Sequence, residues 1–218
     1  MTIMQNDTKW SEQAWKAAEP IYKAILELPF IKQLTDGTLS SETFERYIRQ
    51  DSLYINVYSK VLAHIASRLP QTEMTEAFLG FAGEGVAAER GLHSQFIEAQ
   101  AIGMSPACRF YTAVLQAQSL SPVEVEAAAV LPCFWVYLKV GLEIAAKASA
   151  ENPYHEWIAM YSHPEFVKST DRAIAVCDAL AAAADEETRQ KMTDIFVECT
   201  RLEWLFWHGA YSDLKWEV

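Results

Sequence analysis

The stretch that decides the fold is residues 40–70, SSETFERYIRQDSLYINVYSKVLAHIASRLP. Ser40 is a favourable N-cap residue, and Glu42 follows at the positive end of the helix dipole. Apolar residues then recur at helical spacing as far as Arg68, and Pro70 cannot continue the helix. The pattern therefore predicts one long helix, which contains Tyr47, Ile48, Asp51, Tyr54, Tyr58 and Leu62.

Helical periodicity continues through the rest of the chain, without strand-like alternation, an internal repeat or a low-complexity linker. Asp36-Gly37 predicts a turn, and Asn152-Pro153 predicts a break. Pro132 is expected to disturb its helix, and Gly141 is expected to mark close helix packing. A single all-α domain spanning residues 1–218 is therefore predicted. Its further helices are expected at residues 10–27, 73–101, 107–118, 123–150, 153–161, 164–184 and 186–211.

The composition indicates a packed globular protein. Of its 218 residues, 51% are hydrophobic and 12% aromatic, and the sequence contains only 8 Gly and 8 Pro. The formal net charge of −11 comes from 18 basic and 29 acidic residues. Nucleic acids and anionic membranes bind clustered Lys and Arg, so this balance argues against both as partners.

The four cysteines form no CxxC motif and no regular framework, which is typical of reduced thiols in an intracellular protein. The uninterrupted apolar stretches fall short of the roughly 18–20 residues that a membrane span needs. A soluble cytoplasmic protein is therefore expected.

Cys133 is the first candidate for chemistry, because it lies in the aromatic segment LPCFWVY, residues 131–137. Tyr137 follows one helical turn later, so the thiol and the phenol share one helix face. A neighbouring phenol or acid could orient the thiol or help to deprotonate it, as nucleophilic catalysis requires. Burial as a small apolar residue is the alternative for Cys133, and it is the interpretation preferred for Cys108, Cys177 and Cys199.

Two isolated acids lie within apolar patterns. Asp51 interrupts an aromatic face and would be costly to bury without a donor, such as a ligand with an amino group beside a ring nitrogen. Glu203 lies in a tryptophan-rich segment, where burial would raise its pKa towards neutral pH and suit it to acid–base work. The alternatives are surface pairs, with Arg49 or Lys60 for Asp51 and with Arg201 for Glu203.

The sequence offers little support for a metal or a cofactor. Glu89 and His93 are one turn apart, and Glu203 and His208 are five residues apart, but the repeated Glu-x-x-His units of di-iron helical proteins are missing. A Gly-rich phosphate loop and a GxSxG elbow are missing too. A site without metal or cofactor is expected.

Taken together and in order, these residues resemble the TenA family, also called thiaminase II or aminopyrimidine aminohydrolase, over nearly the whole chain. The matching segments are 28–30 with 36–39, 47–54, 89–93, 106–112, 131–135, 157–161, 203–207 and 210–211. Each segment is weak by itself, whereas their order and spacing are specific. Because Cys133 is present, the chain resembles the cysteine-containing branch.

The resemblance implies a haem-oxygenase-like helical bundle that assembles as a homotetramer without haem or metal. It implies hydrolysis of 4-amino-5-aminomethyl-2-methylpyrimidine to the hydroxymethylpyrimidine of thiamine salvage, and cleavage of thiamine in some members. Cys133 then matches the nucleophile, Glu203 the proton donor, and Tyr54 a phenol that sharpens the thiol. Asp51 matches the carboxylate that binds the pyrimidine edge. The other substrate-binding positions are Tyr111, Tyr137 and Tyr161.

Two other interpretations stay open from the sequence. The first is a different enzyme on the same bundle, either a cofactorless oxidase or a metal-dependent one. The second is a protein that binds a pyrimidine without turnover, with Cys133 as a packing residue. Release of ammonia from an aminopyrimidine distinguishes an aminohydrolase from both.

Overall fold

A computed structural model describes residues 8–96 and 103–217, which form nine α-helices and no strand. The all-α prediction is confirmed for these residues. The helices are α1 (Trp10–Leu26), α2 (Pro29–Asp36), α3 (Ser41–Arg68), α4 (Thr72–Phe96), α5 (Pro106–Ala117), α6 (Val123–Ala145), α7 (His155–Ser162), α8 (Pro164–Ala183) and α9 (Glu186–Tyr211). A short 3₁₀ helix, Gln118–Leu120, follows α5. The end of the helix expected at 73–101 lies outside the described residues.

Local signals at the helix ends work as the sequence predicts. The Ser40 hydroxyl accepts a hydrogen bond from the Thr43 amide at 3.2 Å and caps α3. Gly37 ends α2 in the left-handed conformation, with φ of +71°, which costs little without a Cβ. Asp185 caps α9 through the Thr188 amide at 2.8 Å.

The structure departs from the prediction around α6. Pro132 lies inside a continuous helix rather than interrupting it, because the surrounding turns are buried and held by neighbouring helices. The helix ends at Ala145 rather than near residue 150. Asn152 explains the early end, since its amide donates to the Leu34 and Thr35 carbonyls at 2.9 and 3.1 Å and pulls the connection onto α2.

Helix α6 is the centre of the core and packs against α3, α7, α8 and α9. Among the described residues it is the one helix long and apolar enough to span a membrane, with a mean hydropathy of 1.5 over its best window. However, 72% of that window is buried inside the protein, which fits a core helix. The helices that carry the candidate site residues therefore surround or include the most apolar segment of the chain.

Candidate active site

A buried ion cluster joins α3 to α6 away from the predicted site. The Glu126 side chain, 1% exposed, accepts a hydrogen bond from Arg68 and lies 2.8 Å from Nδ1 of His64. A buried carboxylate needs such partners, since an unpaired charge in the interior is strongly destabilising. The cluster therefore fixes how the end of α3 meets the start of α6.

Two further polar contacts continue along the same pair of helices. The Tyr58 hydroxyl donates to the Val130 carbonyl at 2.8 Å, and the Tyr47 hydroxyl donates to the Tyr137 hydroxyl at 3.3 Å. Residue numbers fall along α3 as they rise along α6, so the helices are antiparallel. We call these two contacts and the Glu126 cluster the polar ladder. The ladder brings the middle of α3 opposite Cys133.

Cys133 differs from the other three cysteines, all of which the structure describes. It is partly accessible, whereas the others are buried. Burial of the sulfur raises the pKa of the Cys133 thiol, and the nearby charges of Glu203 and Asp51 raise it further. The hydroxyls of Tyr54 and Tyr58 oppose this rise. The thiol therefore lies close to two phenols and within the electrostatic influence of both acids.

Glu203 is buried on α9, with 2% exposure, rather than paired at the surface with Arg201. The Tyr111 hydroxyl donates to its Oε1 at 2.8 Å. Burial raises the pKa of Glu203 to about 8; the Tyr111 hydrogen bond opposes this rise, and the charge of Asp51 adds to it. A carboxyl group with this pKa can hold or release a proton near neutral pH.

Asp51 is also buried, with 3% exposure, on the inner face of α3. Burial raises its pKa to about 7. The expected alternative was a surface pair, but Arg49 instead pairs with Glu45 at 3.5 Å, and Lys60 donates to the Asn56 side chain at 2.8 Å. Asp51 is therefore available to interior groups, and its charge raises the pKa values of surrounding phenols.

The predicted phenols fall into two aromatic groups. Tyr54 packs on Tyr111 with ring centroids 4.9 Å apart, and on Phe206 at 5.7 Å. Tyr137 packs on Tyr161 at 4.8 Å. Tyr47 joins the groups, because its ring lies 6.1 Å from Phe206 and its hydroxyl bonds that of Tyr137. The predicted phenols and Glu203 therefore form one connected cluster with Cys133 on α3, α5, α6, α7 and α9, and Asp51 acts on this cluster through its charge.

Two buried donors in this cluster have no hydrogen-bond partner among the described residues, the Tyr54 hydroxyl and Nε1 of Trp207. The Tyr54 hydroxyl lowers the pKa of the Cys133 thiol, but the two groups form no hydrogen bond of normal geometry. Trp207 packs on Tyr137 with centroids 4.7 Å apart. A buried unpaired donor costs roughly 1–3 kcal/mol, and both of these donors lie in the cluster around Cys133.

Close packing positions Tyr161. A Cβ on Gly141 would lie 2.7 Å from the Tyr161 carbonyl oxygen, closer than any real contact. Only glycine therefore lets α7 approach α6 so closely, and this approach brings Tyr161 against Tyr137. The close packing predicted at Gly141 is found here.

Sequence reasoning missed several members of the cluster. The sequence pattern assigns no role to Tyr47 and Tyr58 in the helix that contains Asp51. It marks Trp157, Phe206 and Trp207 only as members of the matching segments. The Trp157 indole donates to the Tyr47 hydroxyl at 3.3 Å. Helical spacing from Asp51 and Glu203 could have marked these residues as sharing a face, but not which neighbour each would meet.

The described residues contain no group of three or more His, Cys, Asp or Glu side chains that could hold a metal ion. The side chains of Glu89 and His93 lie outside the described residues. The donors gathered around Cys133 are phenols and carboxylic acids, which suit hydrogen bonding to a heterocycle.

The chain is similar over most of its length to known proteins of aminopyrimidine hydrolysis and thiamine biosynthesis. The chain is 31% identical to the aminopyrimidine aminohydrolase of Bacillus subtilis, over 95% of this chain and 92% of the relative. It is 35% identical to the thiamine biosynthesis multifunctional protein ThiED of Corynebacterium efficiens over 83% of this chain, and it spans only 25% of that longer relative.

Solved structures establish the fold. A TenA homologue from Pyrococcus furiosus superposes with a TM-score of 0.87 at 19% identity, covering 93% of this chain and all of the homologue. Heme oxygenase from Leptospira interrogans gives a TM-score of 0.57 at 16% identity, covering 95% of this chain and all of that enzyme. The predicted haem-oxygenase-like bundle is confirmed. Since the model of the TENA/THI-4/PQQC family matches residues 15–213, the chain belongs to this family.

Proposed function

We propose that this protein is an aminopyrimidine aminohydrolase of thiamine salvage. It hydrolyses 4-amino-5-aminomethyl-2-methylpyrimidine, with one water consumed and one ammonia released, and leaves the hydroxymethylpyrimidine. The similarity to the Bacillus subtilis aminohydrolase over nearly the full length of both chains supports the reaction. The observation that carries the proposal is the cluster itself, in which the thiol of a partly accessible cysteine residue lies within the influence of two buried carboxyl groups.

Asp51 binds the aminopyrimidine edge. With a pKa near 7, it can donate its proton to a ring nitrogen while its second oxygen accepts from the adjacent amino group. Two parallel hydrogen bonds fix the ring in its plane. The aromatic surfaces of Tyr137, Tyr161 and Tyr111 form the walls against which a flat ring packs.

Cys133 is the nucleophile. Its thiol gives up its proton to a ring nitrogen of the bound pyrimidine, while the sulfur adds to an electron-poor ring carbon and forms a carbon–sulfur bond. Tyr54 assists, because its unpaired hydroxyl can donate to the developing thiolate and offset the rise in pKa that burial causes. The negative charge that enters the ring then drives cleavage of the exocyclic carbon–nitrogen bond.

Glu203 is the proton donor. The electron pair of the breaking carbon–nitrogen bond leaves with nitrogen, which takes the Glu203 proton and departs as ammonia. Water adds to the exocyclic carbon and returns a proton to Glu203. The carbon–sulfur bond breaks, its electrons leave with sulfur, and the proton held on the ring nitrogen returns to the thiol. Thiamine, which we retain as a second substrate, would follow the same course, except that its thiazolium group leaves as neutral thiazole without taking a proton.

Ammonia release from the aminopyrimidine, measured for the wild type and for Cys133→Ser, tests the proposal. We expect turnover in the wild type and its loss in the variant. If the wild type binds the pyrimidine and releases no ammonia, the protein is a binding protein. If it purifies with stoichiometric iron and oxidises substrate, the bundle supports an oxidase instead.

We also propose that the enzyme is a homotetramer that needs no cofactor, as the family resemblance implies, and that it is cytoplasmic, as its unpaired cysteines suggest. Light scattering coupled to size-exclusion chromatography tests the first: a mass near four chains agrees with it, and a monomer mass contradicts it. Full activity after dialysis against a chelator is expected for an enzyme without a metal.

A further inference from the structure

We propose that Tyr58 is a positioning residue for the nucleophile. Its hydroxyl braces α6 just before Cys133, and its ring holds Tyr54 beside the same sulfur. The inference deepens the proposed function, on which it rests, by assigning a role to a phenol that neither the motif nor the comparisons assign.

The segment of α6 before Cys133 is weakened by its own sequence. Pro132 has no N–H, so the normal helical hydrogen bond to the Ala128 carbonyl is missing, and its ring crowds the preceding turn. The Tyr58 hydroxyl crosses from α3 to this turn and donates to the Val130 carbonyl at 2.8 Å. A side chain from another helix thus supports the backbone where proline weakens it.

The Tyr58 ring is fixed on both sides. It stacks on Tyr54 with ring centroids 5.4 Å apart and planes inclined by 22°, and it packs on Phe134 at 6.0 Å. Phe134 follows Cys133 directly in α6. Tyr58 therefore sets the distance between the helix that carries the thiol and the ring that carries the Tyr54 hydroxyl.

The sulfur connects these contacts. The hydroxyls of Tyr54 and Tyr58 both lower the pKa of the Cys133 thiol against the effect of burial. The two phenols differ, because the Tyr58 hydroxyl is anchored on a backbone carbonyl whereas the Tyr54 hydroxyl has no partner among the described residues. Tyr58 thus holds Cys133 and the Tyr54 ring in place, and the Tyr54 hydroxyl can donate to the thiolate.

The test is the reactivity of the thiol in Tyr58→Phe, which keeps the ring and removes the hydroxyl. The rate of Cys133 alkylation by iodoacetamide is measured against pH, with the modified peptide quantified by mass spectrometry. Loss of the hydrogen bond to the Val130 carbonyl should loosen the alignment of Cys133 with the Tyr54 hydroxyl. We therefore expect the pH midpoint to rise by about one unit and the rate at neutral pH to fall about tenfold. In turnover, kcat should fall while KM stays within about twofold.

Tyr22→Phe is the matched control. The Tyr22 hydroxyl also donates to a carbonyl of α6, that of Lys139 at 3.3 Å, but it does not act on the thiol. Its removal should leave the alkylation profile unchanged. If Tyr58→Phe does not fold, 3-fluorotyrosine at position 58 serves instead; as a stronger donor it should lower the midpoint.

A Tyr58→Phe protein with the alkylation midpoint and kcat of the wild type would overturn the inference, as would equal effects of the Tyr22 and Tyr58 changes. Alkylation needs no substrate, so it reports on Tyr58 independently of the reaction. If the wild type releases no ammonia but the alkylation midpoint of Tyr58→Phe is shifted from that of the wild type as predicted, only the proposed function is refuted.

Discussion

Replacing Tyr111 by Phe should move the basic limb of the pH–rate profile to higher pH. In the wild type the Tyr111 hydroxyl donates to Glu203 Oε1 at 2.8 Å and stabilises the carboxylate. Without this donor, burial acts on Glu203 with less opposition, and its pKa rises above about 8. A general acid works in its protonated form, so the rate should persist to higher pH.

The magnitude follows from the kind of bond removed. A hydrogen bond to a charged group contributes about 1.5–3 kcal/mol, and one pKa unit corresponds to roughly 1.4 kcal/mol. The basic limb should therefore move up by about one to two pH units. The maximum rate should change less than the limb, because Tyr111→Phe keeps the ring contact with Tyr54 at 4.9 Å.

The assay is ammonia release from the aminopyrimidine between pH 6 and 10, with kcat/KM determined at each pH. Tyr154→Phe is the control, since the Tyr154 hydroxyl donates to the Leu39 carbonyl and does not act on Glu203. A basic limb that stays in place, or moves to lower pH, would refute the assignment of Glu203 as the acid. Direct titration of the carboxyl by ¹³C NMR covers the case in which the variant is inactive.

Three shorter predictions follow from the same contacts. Cys133→Ser should lose ammonia release. Its melting temperature should stay close to that of the wild type, because the residue is partly accessible. Normal turnover of this variant would show that Cys133 is not the nucleophile. Asp51 has a pKa of about 7 when folded against an ordinary value of 3.8, so the fold holds its proton more tightly than the unfolded chain. Wild-type stability should therefore fall as pH rises from about 4 to 7, by up to ~4 kcal/mol relative to Asp51→Asn in urea titrations, and parallel curves would contradict the burial of this acid. Gly141→Ala should destabilise by about 1–3 kcal/mol, because its Cβ meets Tyr161, whereas Gly80→Ala, with nothing within 4 Å, should be neutral or stabilising by up to about 1 kcal/mol in thermal melts.

Eight of the nine α-helices of the described residues could be predicted because their signals are local, whereas α2 was missed and only the turn at Asp36-Gly37 that ends it is predicted. Ser40 caps α3 and Asp185 caps α9, and the apolar period between such signals is unbroken. The early end of α6 could not be predicted, since the chain from 146 to 150 has no helix breaker. The direction of this segment is set by Asn152, whose side-chain amide donates to a carbonyl of α2, more than a hundred residues earlier in the chain.

For the candidate site too, the sequence could predict relations between neighbouring residues but not contacts between residues far apart in the chain. Spacing alone could place Cys133 beside Tyr137, and Glu203 beside Trp207, on shared helix faces. It could not decide whether Asp51 is buried or paired at the surface, because that depends on which helix covers α3. It also could not show that Tyr58 reaches the Val130 carbonyl, which requires the register between two helices separated by some seventy residues.

The polar ladder also determines which changes of sequence this fold can absorb. Inserting or deleting one residue inside α3 or α6 would rotate the following side chains by about 100° and misalign every later rung. Glu126 would then be buried in the interior without Arg68 and His64 beside it, far from any reacting atom. Variation in length among descendants of this chain should therefore accumulate in the connecting segments, while these two helices change by substitution only.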